Sequence, residues 1–124
     1  MKIQLSIFLF IAFLTGISYQ SALGQSPDSL LMNREYNQWN EALKAPEKVY
    51  RLNLSNQDIS NFRRELPKFT NLRYLSLRND QLNSIPPEIF KLHNLRVLDL
   101  GENPFSELPT EFSKLKNLEE LYLD

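Results

Sequence analysis

Residues 72–82 read LRYLSLRNDQL, and their spacing recurs along the chain. Leu75 and Leu77 alternate with Tyr74, Ser76 and Arg78. A period of two marks a short strand with one face buried. Moving 23 residues on from Leu72, Leu75 and Leu77 lands on Leu95, Leu98 and Leu100, and a further 23 on Leu118, Leu121 and Leu123. One step back, Val49, Leu52 and Leu54 fill the same slots. The later positions agree: Ile59, Leu82 and Phe105; Phe62, Ile85 and Leu108; Leu66, Ile89 and Phe112; Phe69, Leu92 and Leu115. Self-similarity at a fixed period of this length is the mark of a stacked array. Three full repeats run from Val49 to Asn117, and a fourth starts at Leu118.

After each strand comes a turn and then a segment such as IPPEIFKL, in which Ile89 and Leu92 lie three apart, as one face of a short helix requires. Pro87 suits the helix start, where its missing N–H has no partner to lose. Ser84 and Thr110 supply hydroxyls near two of these starts. One repeat cannot fold alone, because its inward side chains bury too little to offset the backbone entropy of ordering it. Neighbouring repeats must supply the difference, by pairing strands into a parallel sheet and merging their apolar faces.

The pattern LxxLxLxxNxLxxLPxxIxxLxx resembles that of the leucine-rich-repeat family, in its 23-residue form with Leu-Pro before the helix. The resemblance covers about three-fifths of the chain. It implies an α/β solenoid with a short parallel sheet on the concave face, short helices on the convex face and a helical cap at the N-terminal end. Two departures stand out. The family's turn asparagine is present only as Asn103, with Gln57 and Asp80 in the first two repeats. Asp can accept but not donate, so a looser turn ladder is expected there. The Leu-Pro step is Ile85-Pro86 and Leu108-Pro109, but Phe62-Arg63 in the first repeat.

Upstream, residues 1–24 read as a secretory signal. Lys2 is the basic start, an apolar run follows from Leu5 to Ile17, and Ala22 and Gly24 supply small residues before a cut at Gln25. The alternative is a retained anchor, but the run is shorter than a spanning helix and interrupted by Ser6, Thr15 and Gly16. Secretion or a periplasmic location follows, with no stable membrane insertion after cleavage. Residues 25–48 are expected to form the cap, as a helix from Ser26 to Leu43. Ser26, Pro27 and Asp28 make a good helix start. Met32, Tyr36, Trp39 and Leu43 form one stripe, and Pro46 ends it. Trp39 is read as a core residue covering the first turn of the array, the alternative being a ligand-stacking residue. The stretch ALKAPEKVYRLNL resembles the opening of the array in exported bacterial proteins of the family.

The composition excludes several chemistries. The chain has no cysteine, so thiolate catalysis, disulfides, cysteine-held metals and a lipid anchor on cysteine are ruled out. His93 is the single histidine, expected on the solvent side at a helix end, and no motif ties an acid or serine to it. Glu119 and Glu120 are adjacent and so point to opposite faces of a strand. Gly101 is the only glycine after residue 24, which leaves no phosphate loop. Asn53-Leu54-Ser55 matches a glycosylation sequon but sits in an expected strand. Catalysis by the chain is the weak rival reading. No cofactor and no metal are expected, and a net charge of −1 gives no signal for nucleic acid.

What remains is binding of a protein or peptide partner. The outward positions of the sheet are Arg51, Asn53 and Ser55; Tyr74, Ser76 and Arg78; Val97, Asp99 and Gly101; Glu120, Tyr122 and Asp124. Arg51, Asn53, Tyr74, Ser76, Arg78, Asp99, Glu120 and Tyr122 are the candidate contact residues, and Tyr and Arg are the types that most often anchor interfaces. The alternative is a merely solvated sheet face. Charge is polarised along the array: residues 25–96 carry 11 basic and 8 acidic groups, whereas residues 97–124 carry 2 and 7. A further expectation concerns Leu118, Leu121 and Leu123, which no later segment covers, so self-association through that end is expected. The alternative is that this is the N-terminal fragment of a longer protein with more repeats or an added enzymatic or anchoring domain.

Overall fold

A computed structural model of the chain describes residues 27–124. The secretory-signal reading of residues 1–24 lies outside the described residues. Two compact units divide at residue 32. In the first, a helix α1 spans Pro27–Asn33, its last residue falling in the second unit.

The second unit is built on one five-stranded parallel sheet, with strand order following chain order. Its strands are β1 (Glu35–Tyr36), β2 (Arg51–Asn53), β3 (Tyr74–Ser76), β4 (Val97–Asp99) and β5 (Glu120–Tyr122). Leu52 pairs with Leu75, Leu75 with Leu98, and Leu98 with Leu121. The 23-residue register of the sequence is therefore the hydrogen-bond register of the sheet. One strand residue in three faces inward, and the slots on either side of each strand complete the buried row. Leu52, Leu54, Leu72, Leu75, Leu77, Leu95, Leu98 and Leu100 are all fully buried.

The opposite face is made by 3-10 segments, Arg63–Lys68, Pro87–Lys91 and Thr110–Lys114, rather than by α-helical turns. The three-residue spacing favours this outcome. A 3-10 turn repeats every three residues, so Pro86, Ile89 and Leu92 stack in one row, with Ile89 N–H bonded to Pro86 O at 3.1 Å and Leu92 N–H to Ile89 O at 3.0 Å. Neither Ser84 nor Thr110 caps: the cap positions are Pro86 and Pro109, without a side-chain bond.

The expected continuous helix over residues 26–43 is corrected. α1 ends at Asn33, β1 follows, and a one-turn helix α2 spans Trp39–Ala42. Tyr36, Trp39 and Leu43 still pack against the core, as the stripe required, but from a strand and a turn. β1 pairs in parallel with β2, Glu35 opposite Arg51 and Tyr36 opposite Leu52, so the backbone edge of the first repeat is occupied. The tertiary pull is visible: a paired edge satisfies β2's main-chain groups, which a helix lying across it could not do.

Two side-chain ladders run along the turns. One is the expected ladder at Gln57, Asp80 and Asn103. The second was not foreseen. Asn71, Asn94 and Asn117 donate from Nδ2 to the carbonyls of Glu47, Thr70 and His93 at 2.7, 2.8 and 2.8 Å. Each bond reaches back by 24 residues, tying one repeat to the previous one. At the strand ends Asn56, Asn79 and Glu102 all have positive φ, between 55° and 63°. Asn tolerates that conformation far better than Glu.

Candidate functional site

The outward row of the sheet begins at Glu35. This residue sat in the expected helix and was missed, since only the β1 pairing brings it to the sheet face. Its carboxylate accepts from Arg51 Nη2 and from Asn53 Nδ2, both at 3.2 Å. Arg51 also covers the ring of Tyr74, 4.1 Å from the centroid. One guanidinium thus holds an acid on one side and an aromatic face on the other, which is how Arg is used at recognition surfaces. Asn53 turns back on its own strand end and accepts from Ser55 N–H at 3.1 Å and Ser55 Oγ at 2.8 Å.

Ser76 must be corrected as a contact residue. It is 2% exposed, with its hydroxyl 2.7 Å from Ser55 Oγ and beneath the Asp99 carboxylate. It is a spacer between the strands, covered by its neighbours.

Arg78 lies just beyond the end of β3. Its Nη2 donates to Glu102 at 2.8 Å and Nη1 lies 3.7 Å from Asp99. The hydrogen bond to Glu102 is the main reason its pKa rises above the usual guanidinium value. Glu102, like Glu35, was missed, because it sits in the turn just beyond the strand. Gly101 makes room for this cluster: a Cβ there would lie 2.5 Å from Arg78 Nη1 and would also run into the Asp124 carbonyl. Tyr122 donates its hydroxyl to Glu120, and that bond raises the phenol pKa.

Arg51, Tyr74, Val97, Asp99, Glu120 and Tyr122 together line a cleft of about 420 Å3. The structure therefore brings Arg51, Tyr74, Asp99, Glu120 and Tyr122 to one place, with Arg78 beside Asp99, and leaves Asn53 and Ser76 out. Both arginines are already engaged by carboxylates. Glu120 and Tyr122, by contrast, are exposed. Among the described residues no three His, Asp or Glu side chains are grouped to hold a metal ion. His93 is exposed on the convex side, as expected. Among those residues no helix is long and apolar enough to cross a membrane.

A parallel sheet with one strand per 23 residues, returned through 3-10 segments and tied by side-chain ladders along the turns, agrees with what the sequence comparison finds. The signature described as "Leucine-rich repeat region" matches residues 47–124. The chain belongs to the leucine-rich-repeat family. A solved structure similar to it is that of a leucine-rich-repeat protein from Leptospira interrogans, with 32% identity and a TM-score of 0.69. The likeness covers 73% of this chain and 23% of the Leptospira chain, so this leucine-rich-repeat chain spans about a quarter of that protein's length. No curated protein matches the chain. Leucine-rich-repeat domains commonly serve as scaffolds that bind other proteins.

Proposed function

We propose that this leucine-rich-repeat chain acts outside the cytoplasm as a non-catalytic binding module, and that a protein or peptide docks on the concave sheet. The observation that carries the reading is the cleft formed by Arg51, Tyr74, Asp99, Glu120 and Tyr122. It joins aromatic faces to fixed charges on adjacent strands of one rigid sheet. Interface energy concentrates in such anchors, while the residues around them mainly exclude water. The experiment is to select ligands from a displayed peptide library on the immobilised chain and measure their Kd. Tyr74→Ala and Arg78→Ala should each weaken binding about fivefold or more, on the order of 1 kcal/mol. Unchanged affinity, with the loss instead at Glu88→Ala and Lys91→Ala, moves the site to the convex face.

A second reading is that the chain works as part of a longer array. It is favoured by its spanning 23% of the Leptospira protein and by the exposed apolar side chains of Leu121, Tyr122 and Leu123 in and beside β5. Exposed apolar surface promotes association. The purified chain is expected to form dimers or larger species by light scattering, and to become monomeric when a polar capping repeat is appended. A monodisperse monomer with slow amide exchange through Leu123 overturns this expectation.

A further inference from the structure

The turn-ladder slot holds three different residues at 23-residue intervals, Gln57, Asp80 and Asn103. Asn103 fills the slot completely. Its Oδ1 accepts from Asp80 N–H and Leu82 N–H, both at 3.0 Å. Its Nδ2 faces the carbonyls of Leu77, Leu100 and Gly101 at 2.8, 2.8 and 3.1 Å. Gln57, with a longer arm, reaches back to the Asn37 carbonyl at 3.2 Å.

Asp80 repeats half of the asparagine pattern. Its Oδ1 accepts from Gln57 N–H at 2.8 Å, the same 23-residue step by which Asn103 accepts from Asp80. Its Oδ2 is buried without a hydrogen-bond partner, in a residue only 6% exposed. In the 23-residue register, the counterparts of the Leu77, Leu100 and Gly101 carbonyls around Asn103 Nδ2 are those of Leu54, Leu77 and Arg78, which are the acceptors expected beside Asp80 Oδ2. An ionised carboxylate there meets acceptors with an acceptor. A neutral carboxylic acid has one O–H to give.

We infer that Asp80 is a proton-dependent rung of the ladder: protonated, it donates from Oδ2 to a main-chain carbonyl in place of an asparagine amide, and on losing the proton it loosens the junction between the first two repeats. The titratable and charged groups around it are few. Asp58 and Arg63 line the same cleft of about 550 Å3 at that junction, on the preceding repeat. Neutral Asn103 faces Asp80 from the following repeat, through the bond to its main-chain N–H. Burial raises the Asp80 carboxyl to about 6, working against the N–H groups of Gln57 and Asn56, and repulsion from Asp58 adds to the rise. Asp58 is held below its usual value by its bond to Ser60, so it stays charged while Asp80 titrates.

The sign follows from linkage. A carboxyl raised in the folded state binds its proton more tightly there than in the unfolded chain. The stabilisation is complete below about pH 3.8 and is lost as pH rises through about 6. The shift corresponds to about 100-fold in the folding equilibrium.

The test compares urea unfolding of the chain and its Asp80→Asn variant at pH 4.5 and pH 7, so that carboxylates common to both cancel. The variant's advantage over the parent should grow on the order of 20-fold at pH 7 relative to pH 4.5. In the parent chain, the Gln57 amide resonance should titrate with a midpoint near 6, and in Asp80→Asn that step should vanish. Parallel pH profiles for the two chains, or a Gln57 titration with its midpoint below 4.5, overturn the inference. The resonance measurement on the parent decides the matter even if the variant folds poorly.

Discussion

Replacing Asn103 with Leu is expected to destabilise the solenoid by about 3 kcal/mol, more than any single change on the sheet face. Five main-chain groups bond to this one amide: two N–H donors, of Asp80 and Leu82, and three carbonyls, of Leu77, Leu100 and Gly101, the last of which also accepts from Asn79 N–H. Leucine has a similar volume but offers none of them a partner. A buried polar group left unpaired costs about 1–3 kcal/mol. Asn103 is only half-buried, so water can reach some of the five and the total falls well below their sum. Asn103→Asp isolates the donor half. It keeps the two accepted bonds and sets a carboxylate against three carbonyls, so its deficit should be larger at pH 7 than at pH 4.5. Thermal and urea melts of both variants check this. A loss below about 1 kcal/mol for Asn103→Leu would show that water replaces the ladder at no cost.

The repeat was legible because its signal is redundant. Leu75, Leu98 and their counterparts recur in the same slots, and burial follows the pattern through the strand slots as far as Leu100, whereas Leu108, Leu121 and Leu123 are exposed. The N-terminal segment was not legible in the same way. Tyr36, Trp39 and Leu43 fit a helical stripe, and nothing local reveals that Glu35 and Tyr36 will pair with β2. That pairing is a tertiary fact, set by the vacant edge of the first repeat, and it carried Glu35 to the sheet face unseen. The second ladder was open to detection, since Asn71, Asn94 and Asn117 recur at 23-residue steps. Its role lay hidden because each amide reaches into the previous repeat rather than its own. Ser76 illustrates the converse limit. Alternation correctly assigned it to the outward side of β3, yet a small side chain between Ser55 and Asp99 is covered by its neighbours, and period two says nothing about side-chain height.

Trp39→Ala is expected to cost about 3 kcal/mol, the low end of the range for deleting a buried aromatic. The indole lies against two rings of the first repeat, stacked on Phe62 with centroids 4.3 Å apart and tilted onto Phe69 at 5.2 Å. Phe69 is fully buried, whereas Phe62 is only partly so. The indole thus forms a lid over a ring that belongs to the core. Two terms add: the apolar area of Trp39 itself and the aromatic contacts, worth about 0.5–1.5 kcal/mol beyond area. The half-exposed position keeps the first term below its maximum. A ligand-stacking role would need an open ring face, and Phe62 occupies one of them. Trp39→Phe, which keeps a ring over Phe62 and Phe69, should recover more than half of the loss. Since Trp39 is the only tryptophan, the parent's emission should be blue-shifted and weakly quenched by acrylamide, and should shift red at the same urea concentration at which the circular dichroism signal falls. A melting curve unchanged by Trp39→Ala would detach the cap from the stability of the first repeat. Emission that shifts red before the circular dichroism falls would instead make α2 a separately fraying cap on an array that holds without it.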